Sequence, residues 1–357
     1  MTLHTHAVLP QQLRSATTEE PAVITLDAPL GAPVDLPGAV PLAMPLDIPL
    51  DIAVEIPVEI PAERLRPPVE KSLVNRTRAA DVLPVGWERH SDTKFTVGVR
   101  WPLKHRYFGP QEGRYSSQLI LETIRQCGLL LSYAELGVPT GHHFVMWDLR
   151  HRAWPRRLLT GGTDAMIDVE VQVTDLRMRG GSPGEVTLQM VLRRGERIVA
   201  AGSTRYSLMS PAAYRRMRGG AVPLDLPAPL PQDLPTAVEP ASVCRKEHRD
   251  VVLSPGECEG QWLLRADTSN PSLFDHANDH IPGMVLVEAA HQAAQSLALR
   301  APFVPGSSEL SFTRYAEFGV PIRIEAQPTG DGGLRVTGLQ DGNSLFTAQF
   351  DGDPTAG

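Results

Sequence analysis

Two apolar segments of this 357-residue chain carry the same polar pair at the same spacing. "YSSQLILETIRQCGLLLSYAELG" holds Glu122 and Gln126, and "PGMVLVEAAHQAAQSLALR" holds Glu288 and Gln292. Residues four apart share a helix face, so each segment shows one Glu-Gln face on an otherwise apolar rod. The surroundings repeat too: "FTVGVR" and a polar loop precede the first segment, and "WLLRAD" and a polar loop precede the second. Self-similarity on this scale predicts one fold unit present twice.

Strand-like runs follow each helix. After the first come "FVMWDL", "MIDVEVQV", "EVTLQMVLRR" and "RIVAAGSTRYSLM"; after the second come "ELSFTRYAEF", "PIRIEAQ", "GLRVTGLQ" and "SLFTAQFDG". Their alternation, with Asp-Gly and Arg-Gly turns, indicates antiparallel hairpins. A helix that is apolar nearly all round needs cover on most sides, and a curved sheet supplies it. The expected fold is α+β, a tandem (double) hotdog in which each repeat wraps a curved antiparallel sheet round a long central helix. Proline recurs about every four residues from about 21 to 70 and denies that stretch both helix and sheet. The expected division is therefore a disordered acidic tail (1–70), an N-terminal repeat (71–219), a Pro-rich linker (220–243) and a C-terminal repeat (244–357).

The net charge of −7 comes from the tail, since residues 1–70 hold ten Asp/Glu and three Arg, leaving 31 acidic and 31 basic residues beyond. A balanced body argues against nucleic acid, which selects a strong positive excess. Cys127, Cys244 and Cys258 have neither C-x-x-C nor zinc spacing and read as free thiols in a reducing cytoplasm. No apolar run is long enough for a bilayer, and the N-terminus lacks the order of a secretion signal. A soluble cytoplasmic protein, with no membrane partner, is expected.

The chemistry is concentrated in "FDHANDHIPGMVLVEAAHQAA", residues 274–294. Proline in a first helical turn sacrifices no hydrogen bond, and Gly283 lets another group approach the free amides. Those amides carry partial positive charge, suited to a carbonyl that is becoming an oxyanion. Asp275, His276, Asn278, Asp279 and His280 crowd that place; a cap by Asp279 explains one of the five. Glu288 lies two turns on among apolar neighbours, with His291 and Gln292 on its side, and a buried carboxylate there needs a partner or a raised pKa. It serves either in substrate contact and catalysis or in a structural Glu-Gln bond. Glu122, with Arg125 and Gln126, repeats the arrangement and the choice.

These pieces, with "LILETIRQCGLLLSYAELGVPTGHHFVMWDL" and "FTVGVRWPLKHRYF", resemble the A-factor biosynthesis family, AfsA and its relatives, over about 71 to 351. The acidic loop, Pro-Gly and helix Glu also resemble the 3-hydroxyacyl-carrier-protein dehydratases. The A-factor resemblance implies an acyltransferase that moves a β-ketoacyl group from acyl carrier protein to the hydroxyl of dihydroxyacetone phosphate, on the way to a γ-butyrolactone-type signalling molecule. It also implies a helix Glu followed at the third position by Arg. Arg125 keeps that pattern and His291 departs from it, and an imidazole lacks the guanidinium fork that grips phosphate. The mechanism so implied seats the thioester carbonyl against Gly283 while His276, His280 or a glutamate takes the alcohol proton. The loop pairs with Glu122 or with Glu288, and a second pocket would use His105 with Glu288.

The basic runs "RHRAWPRR" (Arg150, Arg152, Arg156, Arg157) and "YRRMR" (Arg215, Arg216, Arg218) are either solvated surface or a rim that steers an acidic carrier protein. Rival readings are a hotdog dehydratase or thioesterase acting on acyl thioesters, and a non-catalytic ligand-binding protein. A metal site on "DHANDH" is a weaker rival without H-E-x-x-H spacing. No G-x-S-x-G elbow, P-loop or dinucleotide fingerprint is present, so no cofactor is expected.

Overall fold

The computed structural model describes residues 69–219, 234–298, 303–330 and 332–351. Six strands of the first repeat are β1 (Pro84–Arg89), β2 (Lys94–Trp101), β3 (His143–Ala153), β4 (Ala165–Arg179), β5 (Ser182–Arg194) and β6 (Arg197–Met209). Six of the second are β7 (Leu253–Pro255), β8 (Gln261–Leu264), β9 (Ser307–Phe312), β10 (Ile322–Pro328), β11 (Leu334–Gln340) and β12 (Asn343–Asp351). Helices α1 (Ser117–Ala134) and α3 (Gly283–Leu297) follow β2 and β8, and the short α2 (Pro211–Met217) follows β6. The strands form one antiparallel sheet in the order β1-β2-β4-β5-β6-β3-β9-β12-β11-β10-β8-β7. That order reads the same from either end once each strand is replaced by its equivalent in the other repeat. The mirror point is the β3–β9 seam, where Leu149 pairs with Leu310 and His151 with Ser308.

The expected double hotdog is therefore present in full, with the strands where the alternation placed them. One run was too long: "ELSFTRYAEF" is strand only as far as Phe312, and its remainder turns in to line a cavity.

Both long helices are sunk in the sheet. Leu119, Ile120, Leu121, Ile124, Leu130 and Leu131 of α1, and Val285, Val287, Ala289, Ala290, Ala293 and Ala294 of α3, have no exposure to solvent. Each large aliphatic side chain so buried contributes about 1.5–3 kcal/mol against staying in water. The small residues of α3 let the sheet approach closely. On β6 the same need is met from the strand side by Gly202, where an added Cβ would run into Ile124 Cδ1 and the Arg150 carbonyl. Even Gly202→Ala should therefore lift α1 off its sheet.

The repeats also share their entry turns. Lys71–Val74 and Ala79–Asp81 in the first, and Pro240–Val243 and His248–Asp250 in the second, are 3-10 turns. The first of each pair ends on a left-handed residue, Asn75 (φ 50°) or Cys244 (φ 51°). The pattern of the second repeat is thus under way inside the 220–243 segment expected as linker. The expected tail lies outside the described residues as far as 68. Among the described residues no helix is long and apolar enough to cross a membrane.

Candidate active site

The Glu-Gln face of each helix closes a clasp on the entry turns. Gln126 donates from Nε2 to the Asp81 carbonyl (2.8 Å) and to Glu122 (2.6 Å), while its Oε1 accepts from the Leu83 amide. Gln292 does the same with the Asp250 carbonyl (2.8 Å), Glu288 (2.5 Å) and the Val252 amide. An arginine from the entry turn then seals each carboxylate. Arg245 grips Glu288 bidentately at 2.8 and 2.6 Å, and Arg76 donates twice to Glu122 at 3.2 and 2.6 Å.

Glu122 has a further partner. Arg125 donates from Nε and Nη2 at 2.9 and 2.8 Å, so that with Gln126 five donor hydrogens converge on a group with about four lone-pair directions. Burial by itself would raise the Glu122 pKa, but the Arg125 and Arg76 charges and their hydrogen bonds outweigh it and hold the carboxyl at about 2. A general base works best with a pKa near the operating pH. Glu122 is far from that condition, and Glu288, 1% exposed, has its oxygens engaged as well.

Neither glutamate lines a substrate-sized space. They meet, with Tyr107 and Ser272, around a void of about 10 Å³ between the helices, room for one water. His105 lies outside both cavities: its Nε2 is 2.7 Å from Asp81 and its Nδ1 accepts from the Tyr107 and Phe108 amides. In the second repeat Asn270 fills that office, reaching Asp250 and accepting from the Ser272 and Leu273 amides.

The substrate-sized cavity, about 270 Å³, opens where the two repeats face one another. One wall is the N-terminus of α3, with Pro282, Gly283 and Met284, and the loop before it, with Asp275, His276, Asn278 and His280. The opposite wall brings Arg125 and Leu129 from α1, Phe144 to Met146 from β3, Tyr206 from β6 and Tyr214 from α2. Arg76, Arg314, His142 and His143 also face it. Three arginines thus stand against one carboxylate, Asp275, which already accepts from the Thr77 amide (2.6 Å) and hydroxyl (2.7 Å). The floor, with Leu129, Val145, Met146, Leu286 and Phe312, is apolar.

Pro282 occupies the N-cap of α3, in an extended conformation, rather than the expected first turn, and no side chain caps the helix. Asp279 does not serve as the cap. It accepts instead from Tyr214 Oη (2.9 and 3.0 Å) and Arg218 Nε (3.1 Å), with His280 Nδ1 at 2.7 Å. The leading amides of α3 therefore face the cavity without a side-chain acceptor, a place for developing negative charge. By contrast, Ser116 caps α1 by accepting from the Leu119 amide.

Of the residues singled out in the sequence, the cavity gathers His276, His280, Gly283, Asp275, Asn278 and Arg125. His276 is exposed at its mouth, with a pKa lowered by partial desolvation and by the Arg125 charge. His291, which stands where Arg125 does in the first repeat, is buried, with Nδ1 donating to the Val287 carbonyl (3.0 Å) and its ring edge-on to Phe350. Burial lowers its pKa too, which keeps it neutral. Among the described residues, no three His, Cys, Asp or Glu side chains converge in a metal-holding group.

Arg76, Tyr214 and Arg314 were not anticipated as site residues. A signal for Arg76 exists: "VNRTRAAD" (74–81) and "VCRKEHRD" (243–250) share V-x-R-x-x-x-x-D, which pairs Arg76 with Arg245 and Asp81 with Asp250.

The model of the A-factor biosynthesis hotdog domain matches residues 60–210 and 227–352, both repeats in order. The chain belongs to the A-factor biosynthesis hotdog family. Relatives named 2-oxo-3-(phosphooxy)propyl 3-oxoalkanoate synthase match across nearly their whole length. That of Streptomyces virginiae is 42% identical, covering 78% of this chain and 95% of the relative. That of Streptomyces coelicolor is 40% identical over 81% and 93%, and that of Streptomyces griseus 40% over 80% and 95%.

Proposed function

We propose that this member of the family is an acyltransferase that joins a β-ketoacyl group to the free hydroxyl of dihydroxyacetone phosphate, taking the acyl group from a carrier-protein thioester. The relatives' name describes such a product, with a 3-oxoalkanoate as the acid half and a 2-oxo-3-(phosphooxy)propyl group as the alcohol half. The observation that carries the reading is the composition of the cavity wall: uncapped helix amides, an arginine-rich side and an apolar floor in one space.

Each part has its task. Arg125, which spends Nε and Nη2 on Glu122 and keeps Nη1 to spare, receives the phosphate with the charge of Arg76 and Arg314 behind it; a guanidinium fork suits phosphate. The apolar floor takes the acyl chain. The thioester carbonyl lies against the first amides of α3 beside Gly283, where the oxyanion of the tetrahedral intermediate gains hydrogen bonds that are in position before it forms. A loop imidazole, His276 or His280, accepts the hydroxyl proton. Glu122 and Glu288 have no part in proton transfer and act as the anchors that fix the helices and Arg125. Exposed Arg215 and Arg216 sit beside Tyr214, whose ring is part of the cavity wall, and give an acidic carrier protein a surface to dock on.

The test is product analysis by mass spectrometry with β-ketoacyl carrier protein, alone, with dihydroxyacetone and with dihydroxyacetone phosphate. The phosphorylated ester should appear in the third reaction, and Arg125→Met should abolish the preference for the phosphorylated acceptor. Free acid or enoyl thioester formed at the same rate in all three would overturn the reading.

A further inference from the structure

The two loop histidines differ in how they are held. His276 is exposed, and its ring has no hydrogen-bond partner among the described residues. His280 has Nδ1 2.7 Å from Asp279 Oδ1, and its ring meets Tyr315 edge-on at 4.7 Å. Because Asp279 is a carboxylate, Nδ1 carries the proton, and the lone pair is then on Nε2 of a ring that lines the cavity.

Asp279 is itself fixed from outside its loop. Tyr214 Oη donates to both of its oxygens and Arg218 Nε to Oδ2. Arg218 turns its other two nitrogens on Glu317 at 2.6 and 2.8 Å, in the segment that leaves β9. Tyr214 stacks flat on His143 of β3, with ring centres 3.8 Å apart and planes 7° from parallel. Burial would raise the Asp279 pKa, but the His280 and Tyr214 hydrogen bonds and the Arg218 charge drive it well below the carboxylate range, so the group stays an anion. The ionisable groups facing His280 are then Asp279 and His276 from its own loop, Tyr214 and Arg218 from α2 and its end, His143 from β3, and Tyr315 beyond β9.

We propose that His280 is the base of the transfer and that Tyr214 and Arg218, contributed by the first repeat, are positioning residues that lock the Asp279–His280 pair of the second; this rests on the acyltransferase reading above. The acceptor O–H gives its proton to His280 Nε2 as its oxygen bonds to the thioester carbon. Collapse of the tetrahedral intermediate breaks the C–S bond, and the leaving thiolate takes the proton back from Nε2. The products are one ester and one thiol, with the imidazole neutral again. The loop before α1 holds no such pair: its histidine, His105, has both nitrogens engaged.

The experiment uses the full chain with β-ketoacyl carrier protein and dihydroxyacetone phosphate, following ester formation from pH 5 to 9. His280→Gln should lower kcat by about 10²–10⁴-fold, the range for losing a general base, and erase the acid limb of the profile. His276→Gln should retain both within about threefold. Asp279→Asn should lower kcat and move the acid limb to lower pH, because the imidazolium loses its anionic neighbour. Tyr214→Phe, which keeps the ring on His143, should lower kcat roughly 3–10-fold with both KM values nearly unchanged, a split that a loss of folding would not give. Arg218→Lys should recover more of kcat than Arg218→Met. If the wild type makes ester while His280→Gln keeps kcat and its acid limb, this proposal falls and the acyltransferase reading stands. If the wild type makes no ester from any acyl carrier protein, both fall.

Discussion

The two repeats are alike where they hold themselves together and unlike where they face the cavity. Each has a Glu-Gln-Arg clasp, an entry turn ending in a left-handed residue, and a side chain (His105 or Asn270) that organises the loop before the helix. The helix ends differ: α1 is capped by Ser116, whereas α3 is left open behind Pro282. Three residues past the clasp glutamate, Arg125 lines the cavity and His291 is sealed against Phe350. Stability has been kept twice, and a reactive surface has been kept once. A polar residue on an apolar helix is therefore weak ground for assigning chemistry until its partners are known.

The largest effect should come from the clasps. Glu122→Ala or Glu288→Ala leaves buried arginine charge uncompensated, and each should cost about 3–5 kcal/mol of stability by chemical denaturation. The costs should be of similar size in both repeats, with folded Glu288→Ala retaining most of its acyl transfer. A loss of activity in Glu288→Ala without a loss of stability would break the comparison.

Acid should act on the same device. The Glu122 pKa is about 2 when folded against 4.5 as its ordinary value. Its contribution, about 3 kcal/mol at 1.36 kcal/mol per unit, is therefore complete above pH 4.5 and lost as the pH falls from 4.5 towards 2. Buried His151, held at about 3 by desolvation against 6.5, weakens the fold over the earlier window from pH 6.5 down to 3, because only the unfolded chain takes up the proton there. Unfolding free energies measured across pH 2–7 should show both phases, and Glu122→Gln should lack the second.

At the cavity, Arg125→Met should raise KM for dihydroxyacetone phosphate roughly 10–100-fold, the value of about 1.5–3 kcal/mol for a charged hydrogen bond. His291→Met should leave that KM unchanged. The smallest difference is at the helix ends: Ser116→Ala should cost about 1 kcal/mol of stability at an unaltered rate, which thermal unfolding and steady-state assays would check.

What the sequence disclosed follows the range of the forces involved. Alternation over successive residues announced the strands, and the i, i+4 pair announced the two helices, because these depend on near neighbours. The loop "DHANDHIPG" disclosed its place at a helix start for the same reason. The partners of the glutamates were hidden, since Arg76 is 46 residues from Glu122 and Arg245 is 43 from Glu288. Asp279 reads as a cap by proximity, yet it is taken by Tyr214, 65 residues away. Arg218, within a run that reads as surface charge, is inside an ion-paired cluster.

The seam between β3 and β9 decides how such a site responds to dilution. Its ten paired residues, Asp148 to Arg152 against Ser307 to Ser311, belong to a single covalent chain, so neither half must find the other by diffusion. Specific activity set by this seam should be independent of enzyme concentration.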